Sequence, residues 1–225
     1  MRIHIIDLSK TQESYPRFKR DFGPDHECIY INGFKDRYLD PLKVGILVLT
    51  GSEYSVTEDY PWLEPLMDYV RRFFESGKPM LGICYSHQLI ARALHGRRAV
   101  SKALVPEMTY TPVEVTKPHP LFHGLPNPFW VMSAHYDQVS RLPEGFEAVA
   151  RTRDCAIQAM VHNTRPVVGL QFHPEIEIER GRKCVLDEWE KLRQHGLEPE
   201  VLLAQIPSAP TGADRVLRNF LSFVR

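Results

Sequence analysis

The sequence predicts an open α/β fold: a mostly parallel, twisted sheet with helices on both faces. Three observations carry that prediction. Residues 44–50 run without alternation between apolar and polar positions, as strands buried on both faces do. Between residues 2 and 94 the order is strand–helix–strand–strand–helix–strand–helix, and short loops with right-handed crossovers then favour helices on either side of a sheet. Finally, residues 79–94 pass from a short apolar run through a sharp turn into helix-forming sequence, with Cys84 at the corner.

Each element has its own warrant. Residues 2–7 make a short strand ending on an acidic residue, and the polar stretch 11–22 with scattered aromatics predicts a weak helix. Residues 27–32 give a second strand and 44–50 the third. From 62 to 74, Trp62, Leu63, Leu66, Met67, Val70, Phe73 and Phe74 recur at helical spacing. Gly77 closes that helix and Pro79 opens the next strand. After Gly96 the texture changes to short strand-like runs at 110–116, 129–132, 146–152, 156–162 and 167–172, punctuated by prolines and expected to flank or extend the main sheet. The tail from about 179 to 225 predicts an amphipathic helix at 179–195, a short one at 198–204, a linker at 207–212 and a last helix at 213–224 that packs on the sheet. One domain over residues 1–225, with this helical extension, is the expected organisation.

Composition narrows the class further. The chain is 43% hydrophobic and 25% charged, with 28 Lys plus Arg against 28 Asp plus Glu, which argues for no nucleic-acid or membrane-surface partner. Cys28, Cys84, Cys155 and Cys184 lie far apart with no Cys-x-x-Cys pair, a usage that suits a reducing compartment better than disulfides or zinc. The start of the chain has the pattern of a strand, not of a signal peptide, and no run approaches the roughly 18 apolar residues of a spanning helix. A soluble, cytoplasmic protein without metal or organic cofactor is expected. Among His119, His123, His135 and His162 no spacing marks a metal set, and loop or surface positions are expected for most.

Three stretches carry chemistry. At Gly82-Ile83-Cys84-Tyr85-Ser86, a strand–turn–helix corner exposes a side chain above the sheet, with small neighbours two residues either side where the backbone doubles back. The helix start behind it favours thiolate. At Gln171-Phe172-His173-Pro174-Glu175, residues two apart on an extended chain point the same way, so imidazole and carboxylate can face each other, and Pro174 stiffens the exit. A cysteine nucleophile needs a base, and the base an orienting group. At Leu49-Thr50-Gly51-Ser52 a buried strand releases into a Gly/Ser loop able to present oxyanion N–H groups.

Together these stretches resemble the class I (triad) glutamine amidotransferases. Gly82 to Gln88 is similar to that family's nucleophile motif, residues 171–175 to its His/Glu motif, and Leu49 to Ser52 to its oxyanion loop. Residues 131–139 are similar to the Ser-His-Gly-Asp stretch of the GMP-synthase type, with Ala134 where a serine is common. The likeness spans most of residues 44–175 in order. It implies the family's flavodoxin-like architecture with extra antiparallel strands. It also implies Cys84 as nucleophile, His173 as base, Glu175 as orienting carboxylate, oxyanion amides at Gly51 and Tyr85, and Gln88 holding glutamine. Ser52 would join the oxyanion loop, and His135 with Asp137 would serve substrate or partner binding. Ser86 stands where the family keeps glycine, so a changed pocket is expected there.

Three functional readings follow. One is hydrolysis of the γ-amide of glutamine through a thioester on Cys84, either with ammonia passing to a separate synthetase chain or as a free-standing hydrolase. Another is a stand-alone hydrolase of γ-glutamyl peptides or conjugates. The third is a regulatory protein with a vestigial triad, against which the intact Cys84, His173 and Glu175 set counts. Monomer and dimer are both compatible with the sequence.

Overall fold

In the computed structural model, which describes residues 1–35 and 38–224, strands and helices alternate through the first half of the chain: β1 (Arg2–Asp7), α1 (Tyr15–Phe22), β2 (Glu27–Asn32), β3 (Ile46–Leu49), α2 (Leu63–Glu75), β4 (Met80–Ile83) and α3 (Tyr85–His95). The second half adds β5 (Val100–Val115), β6 (Phe129–Val139), β7 (Phe146–Arg151), β8 (Ala159–His162) and β9 (Val167–Leu170). Four helices end it: α4 (Ile178–Asp187), α5 (Trp189–Gln194), α6 (Pro199–Ala204) and α7 (Arg215–Phe223).

All of these strands join one sheet in the order β2-β1-β3-β4-β9-β8-β7-β5-β6. The pairs from β2 to β9 are parallel and those from β9 to β6 antiparallel. The predicted α/β class is the one observed. Its central strands are buried at every position because successive side chains feed opposite layers. Ile46, Val48, Leu81 and Ile83 pack on one face with Phe18 and Phe22 of α1 and Phe220 of α7. Leu47, Leu49 and Met80 pack on the other with α2 and α3. A third cluster seats α4, α5 and α6 on β5 and β6 through Tyr110, Met132, Val185 and Leu192.

Several boundaries differ from the sequence expectation, each for a packing reason. β5 starts ten residues before the expected 110, because pairing with β6 holds residues that are polar on their own. That ladder slips between Lys102 and Glu107, where Leu104 is 95% exposed and Pro106 sits where no ladder donor is needed. β6 likewise runs on past 132 to Val139. The helix expected over 179–195 is two helices, broken at Glu188, whose carboxylate accepts from the Tyr136 hydroxyl at 3.1 Å. Val185 and Leu192, seven residues apart, enter one cluster from either side of the break.

The last helix docks as expected. Val216, Leu217, Phe220 and Leu221 are buried, and the Asn219 amide donates to the carbonyls of Leu121 and His123 at 2.9 Å each. Because Phe220 is fully buried between α1 and the sheet, Phe220→Ala is expected to cost about 3–5 kcal/mol of stability in urea unfolding. A loss below about 1 kcal/mol, the scale of surface substitutions, would mean that α7 only rests on the surface.

Candidate active site

The parallel strands end together at one edge of the sheet, and the chemistry-bearing side chains collect there. β4 stops at Ile83 and α3 begins at Tyr85, so Cys84 alone makes the corner. Its φ is 49° and ψ −105°, a conformation that costs a non-glycine residue about 1–3 kcal/mol. A small residue at position 82 makes the corner possible. A Cβ there would lie 2.7 Å from both the Ser86 carbonyl oxygen and Ile90 Cδ1. Gly82 pairs with Gly169 of β9, where a Cβ would lie 2.5 Å from His87 Nδ1, so the two glycines form a trough for the first turn of α3.

His173 leaves the sheet just beyond β9 and bridges back to β6, its N–H donating to the Met132 carbonyl at 2.8 Å. Its Nδ1 lies 2.7 Å from Glu175 Oε1, and its ring stands beside Cys84, both of them against Gly51. The three side chains are nearly sealed, at 5%, 8% and 3% exposed for Cys84, His173 and Glu175. Burial alone would push the His173 imidazole down. The charges of Glu175 and Cys84, with their hydrogen bonds, outweigh burial and hold it well above 6.5. Burial pushes the Cys28 and Cys184 thiols up, and Cys155 to about 12.

The sulfur has two further neighbours. It lies 3.4 Å from the Ala134 carbonyl oxygen, and the Gln171 amide points to it at 3.8 Å. Tyr85 is the first residue of α3, so its N–H has no acceptor within the helix. Gly51 faces the pair from β3's exit, where a Cβ would lie 2.8 Å from His173 Cε1 and 3.5 Å from Cys84 Cβ.

The remaining residues singled out in the sequence make defined contacts within the protein. Gln88 is buried, and its Nε2 donates to the Asp137 carbonyl at 2.7 Å and to Gln171 Oε1 at 3.0 Å, so it props Gln171. His135 has Nδ1 3.1 Å from the Asp137 carbonyl and Nε2 2.8 Å from Glu107 Oε2, both within the protein. Burial would raise the Glu107 carboxyl, but bonds from His135, Thr152 and Gln158 and the charge of His135 hold it below its ordinary value. The Asp137 carboxylate accepts from Ser55 Oγ at 2.7 Å and the Val56 N–H at 3.2 Å, tying the loop after β3 to β6. Ser52 Oγ accepts the Tyr54 N–H at 3.2 Å and shapes the same loop. The Ser86 hydroxyl enters no pocket: it donates to the Thr50 carbonyl at 2.6 Å and is fully buried.

Sequence reasoning named no role for Gln171 or the Ala134 carbonyl, although both lie in the stretches it quoted. It also missed buried Asp7, which accepts the N–H groups of Ser9 and Ser14, each at 2.9 Å, and so organises the loop after β1. An acidic residue ending an apolar strand was the available signal. Among the described residues no cluster of His, Cys, Asp and Glu could hold a metal, and no helix is long and apolar enough to cross a membrane.

Comparisons with known proteins fit this geometry. A family model described as glutamine amidotransferase class-I matches residues 35–190. A glutamine-hydrolyzing GMP synthase subunit from Thermoplasma acidophilum is 35% identical over 179 residues, covering 79% of this chain and 85% of that protein. A GMP synthase (glutamine-hydrolyzing) from Caldicellulosiruptor saccharolyticus is 42% identical over 130 residues, covering 58% of this chain and 24% of that one. A glutamine-hydrolyzing GMP synthase subunit from Methanocaldococcus jannaschii is 45% identical over 98 residues, covering 44% of this chain and 51% of that one. The chain thus spans about half or less of the length of the latter two curated relatives. A solved glutamine amidotransferase from Thermotoga maritima superposes with a TM-score of 0.78 at 22% identity, over 100% of this chain and 97% of that one, and shares the fold.

Two outcomes follow from the geometry. Gly51→Ala is expected to displace His173 and lower the rate of Cys84 chemistry by about 10²-fold with little change in stability. Alkylation of Cys84 at the wild-type rate would show that the ring has room. The second concerns pH. The folded-state pKa of His173 lies above the unfolded 6.5, so the stability contributed by its protonated form is fully present below pH 6.5 and lost as pH rises through the folded value. The gap in unfolding free energy between wild type and His173→Gln is therefore expected to narrow with rising pH. A gap that widens would reverse the sign of the coupling.

Proposed function

The chain belongs to the class-I glutamine amidotransferase family, and on that footing we propose that it hydrolyses the γ-amide of glutamine to glutamate and ammonia. One observation supports this above the others: Cys84, at a strained corner, stands beside His173, whose Nδ1 is in turn held by Glu175 at 2.7 Å. In this reading His173 takes the Cys84 thiol proton, Cys84 Sγ attacks the γ-carbonyl carbon and the oxygen takes the negative charge, held by the Gly51 and Tyr85 amides. As the carbonyl re-forms, the C–N bond breaks and His173 gives its proton to the departing ammonia, leaving a γ-glutamyl thioester. Water, losing its proton to His173, then attacks the thioester and returns Cys84 and glutamate.

Glu175 acts by holding the ring so that its other nitrogen faces the sulfur, and no proton need reach the carboxylate. Two relatives named as subunits of glutamine-hydrolyzing GMP synthases support delivery of that ammonia to a synthetase on a separate chain.

The deciding experiment compares kcat/KM of the purified chain on glutamine and on a panel of γ-glutamyl dipeptides, with a γ-glutamyl affinity label followed by mass. Glutamine is expected to be the better substrate, and the label to sit on the peptide holding Cys84. Cys84→Ala should lose activity on the order of the 10⁶-fold recorded for a deleted triad nucleophile. Dipeptides turned over with glutamine ignored would overturn the substrate assignment in favour of a γ-glutamyl peptidase. Labelling at Cys28, Cys155 or Cys184 instead would overturn the site.

A further inference from the structure

Arg20 stands in the last turn of α1, outside the triad, yet it reaches the segment that carries His173 and Glu175. Its Nη2 donates to the backbone carbonyl of Glu175 at 3.3 Å and its Nη1 to the Glu177 carboxylate. Its Nε donates to Asp21 Oδ1 at 2.6 Å, so three nitrogens of one planar group meet three acceptors. Asp21 is buried and its Oδ2 has no partner among the described residues. Burial pushes the Asp21 carboxyl up against the pull of Arg20, with Glu175 and Asp214 adding to the rise. A carboxylate kept at that cost beside Nε sets the plane of the guanidinium. The helix beneath is fixed as well, since Phe18 and Phe22 sit in the core with Phe220.

Glu175 needs an external hold. Its Oε1 accepts from His173, while its Oε2, though buried, has no partner among the described residues. A carboxylate gripped at one oxygen only is aimed by where its backbone is placed. Pro174 restricts the approach, and Arg20 supplies a hydrogen bond at residue 175 itself. Given the reading of Cys84, His173 and Glu175 as a triad, we propose that Arg20 is a positioning residue: from α1 it grips the Glu175 carbonyl and the Glu177 carboxylate, and so aims the Glu175 carboxylate at His173.

The charged and titratable neighbours are few. Cys84 faces His173 from the strand–helix corner and Cys184 from α4. Asp21 faces Glu175 from α1, and Tyr110 of β5 lies near Glu175, Glu177 and Cys184. Were Glu175 to drift, burial would lower the His173 pKa with less opposing it, so the limb on which His173 loses its proton would move to lower pH.

The test uses the full chain, with hydrolysis kinetics and iodoacetamide alkylation of Cys84 followed by mass across pH. Arg20→Met is expected to lower kcat by about ten- to a hundredfold with KM little changed, and to shift the His173 limb down. Arg20→Lys, which keeps the charge and reaches fewer acceptors, should recover part of both effects. Glu177→Gln, on a carboxylate that is 66% exposed, should move the limb in the same direction by less. In a Glu175→Gln background, Arg20→Met should add nothing to the loss. An unchanged limb in all three single variants, or full multiplicative losses with Glu175→Gln, would overturn the positioning role. Should Arg20→Met fail to fold, an unchanged limb in both Arg20→Lys and Glu177→Gln overturns it equally. A wild-type chain alkylated at Cys84 but turning over no substrate would sink the hydrolase reading alone, because the alkylation limb still decides the role of Arg20.

Discussion

The backbone of Cys84 sits at φ 49°, and the site hangs on the packing that holds it there. An L-residue adopts that conformation only where its surroundings over-determine it. Here the constraints come from three strands at once. Gly82 gives the returning chain room, Gly169 on the neighbouring strand gives room to His87, and the Ser86 hydroxyl ties the first turn of α3 to the Thr50 carbonyl. The Cys84 N–H also donates to the Leu170 carbonyl at 2.7 Å, which locks the corner to the strand that delivers His173. Cys84, His173 and the loop after β3 are thereby positioned by the same few contacts.

A second consequence of this packing is that the antiparallel half of the sheet takes part in the site. β6 offers its Met132 carbonyl to the His173 backbone and its Ala134 carbonyl to the sulfur. A chain of buried polar groups, Gln171, Gln88, the Asp137 carbonyl and His135, then runs from Cys84 to the Glu107 carboxylate. Buried polar groups of this kind are costly when unpaired and rigid when satisfied. This explains why Gln88 and His135 spend their side chains on the protein itself. A lysine on β5, Lys102, pairs with Asp137 at 2.9 Å and closes the same network at the surface.

How much of this was legible in the sequence depends on the range of the contact involved. Cys84 and its small neighbours, and His173 with Glu175, were legible because each signal is local: a corner needs small residues two positions away, and an i, i+2 pair on extended chain shares a face. The parallel core was legible because doubly buried strands lack alternation. By contrast, β5 could not be bounded from its own residues, since Ser101, Lys102 and Glu107 enter the strand by pairing with β6. Residues 179–195 carried one helical period, and nothing in that period marks the break at Glu188, where the Tyr136 hydroxyl of β6 meets the carboxylate.

The sequence by itself determined the fold class, from periodicity, and singled out Cys84, His173 and Glu175 as candidates, from local spacing together with the family resemblance. Tertiary structure alone decided what those residues face. That Ser86 turns its hydroxyl to Thr50 and Gln88 its amide to Gln171 depends on partners 36 and 83 positions away. So does the placement of Arg20 against Glu175, across 155 positions. The physical reason is that a hydrogen bond is chosen by geometry at contact, and no local pattern records which distant acceptor the folded chain will bring within reach.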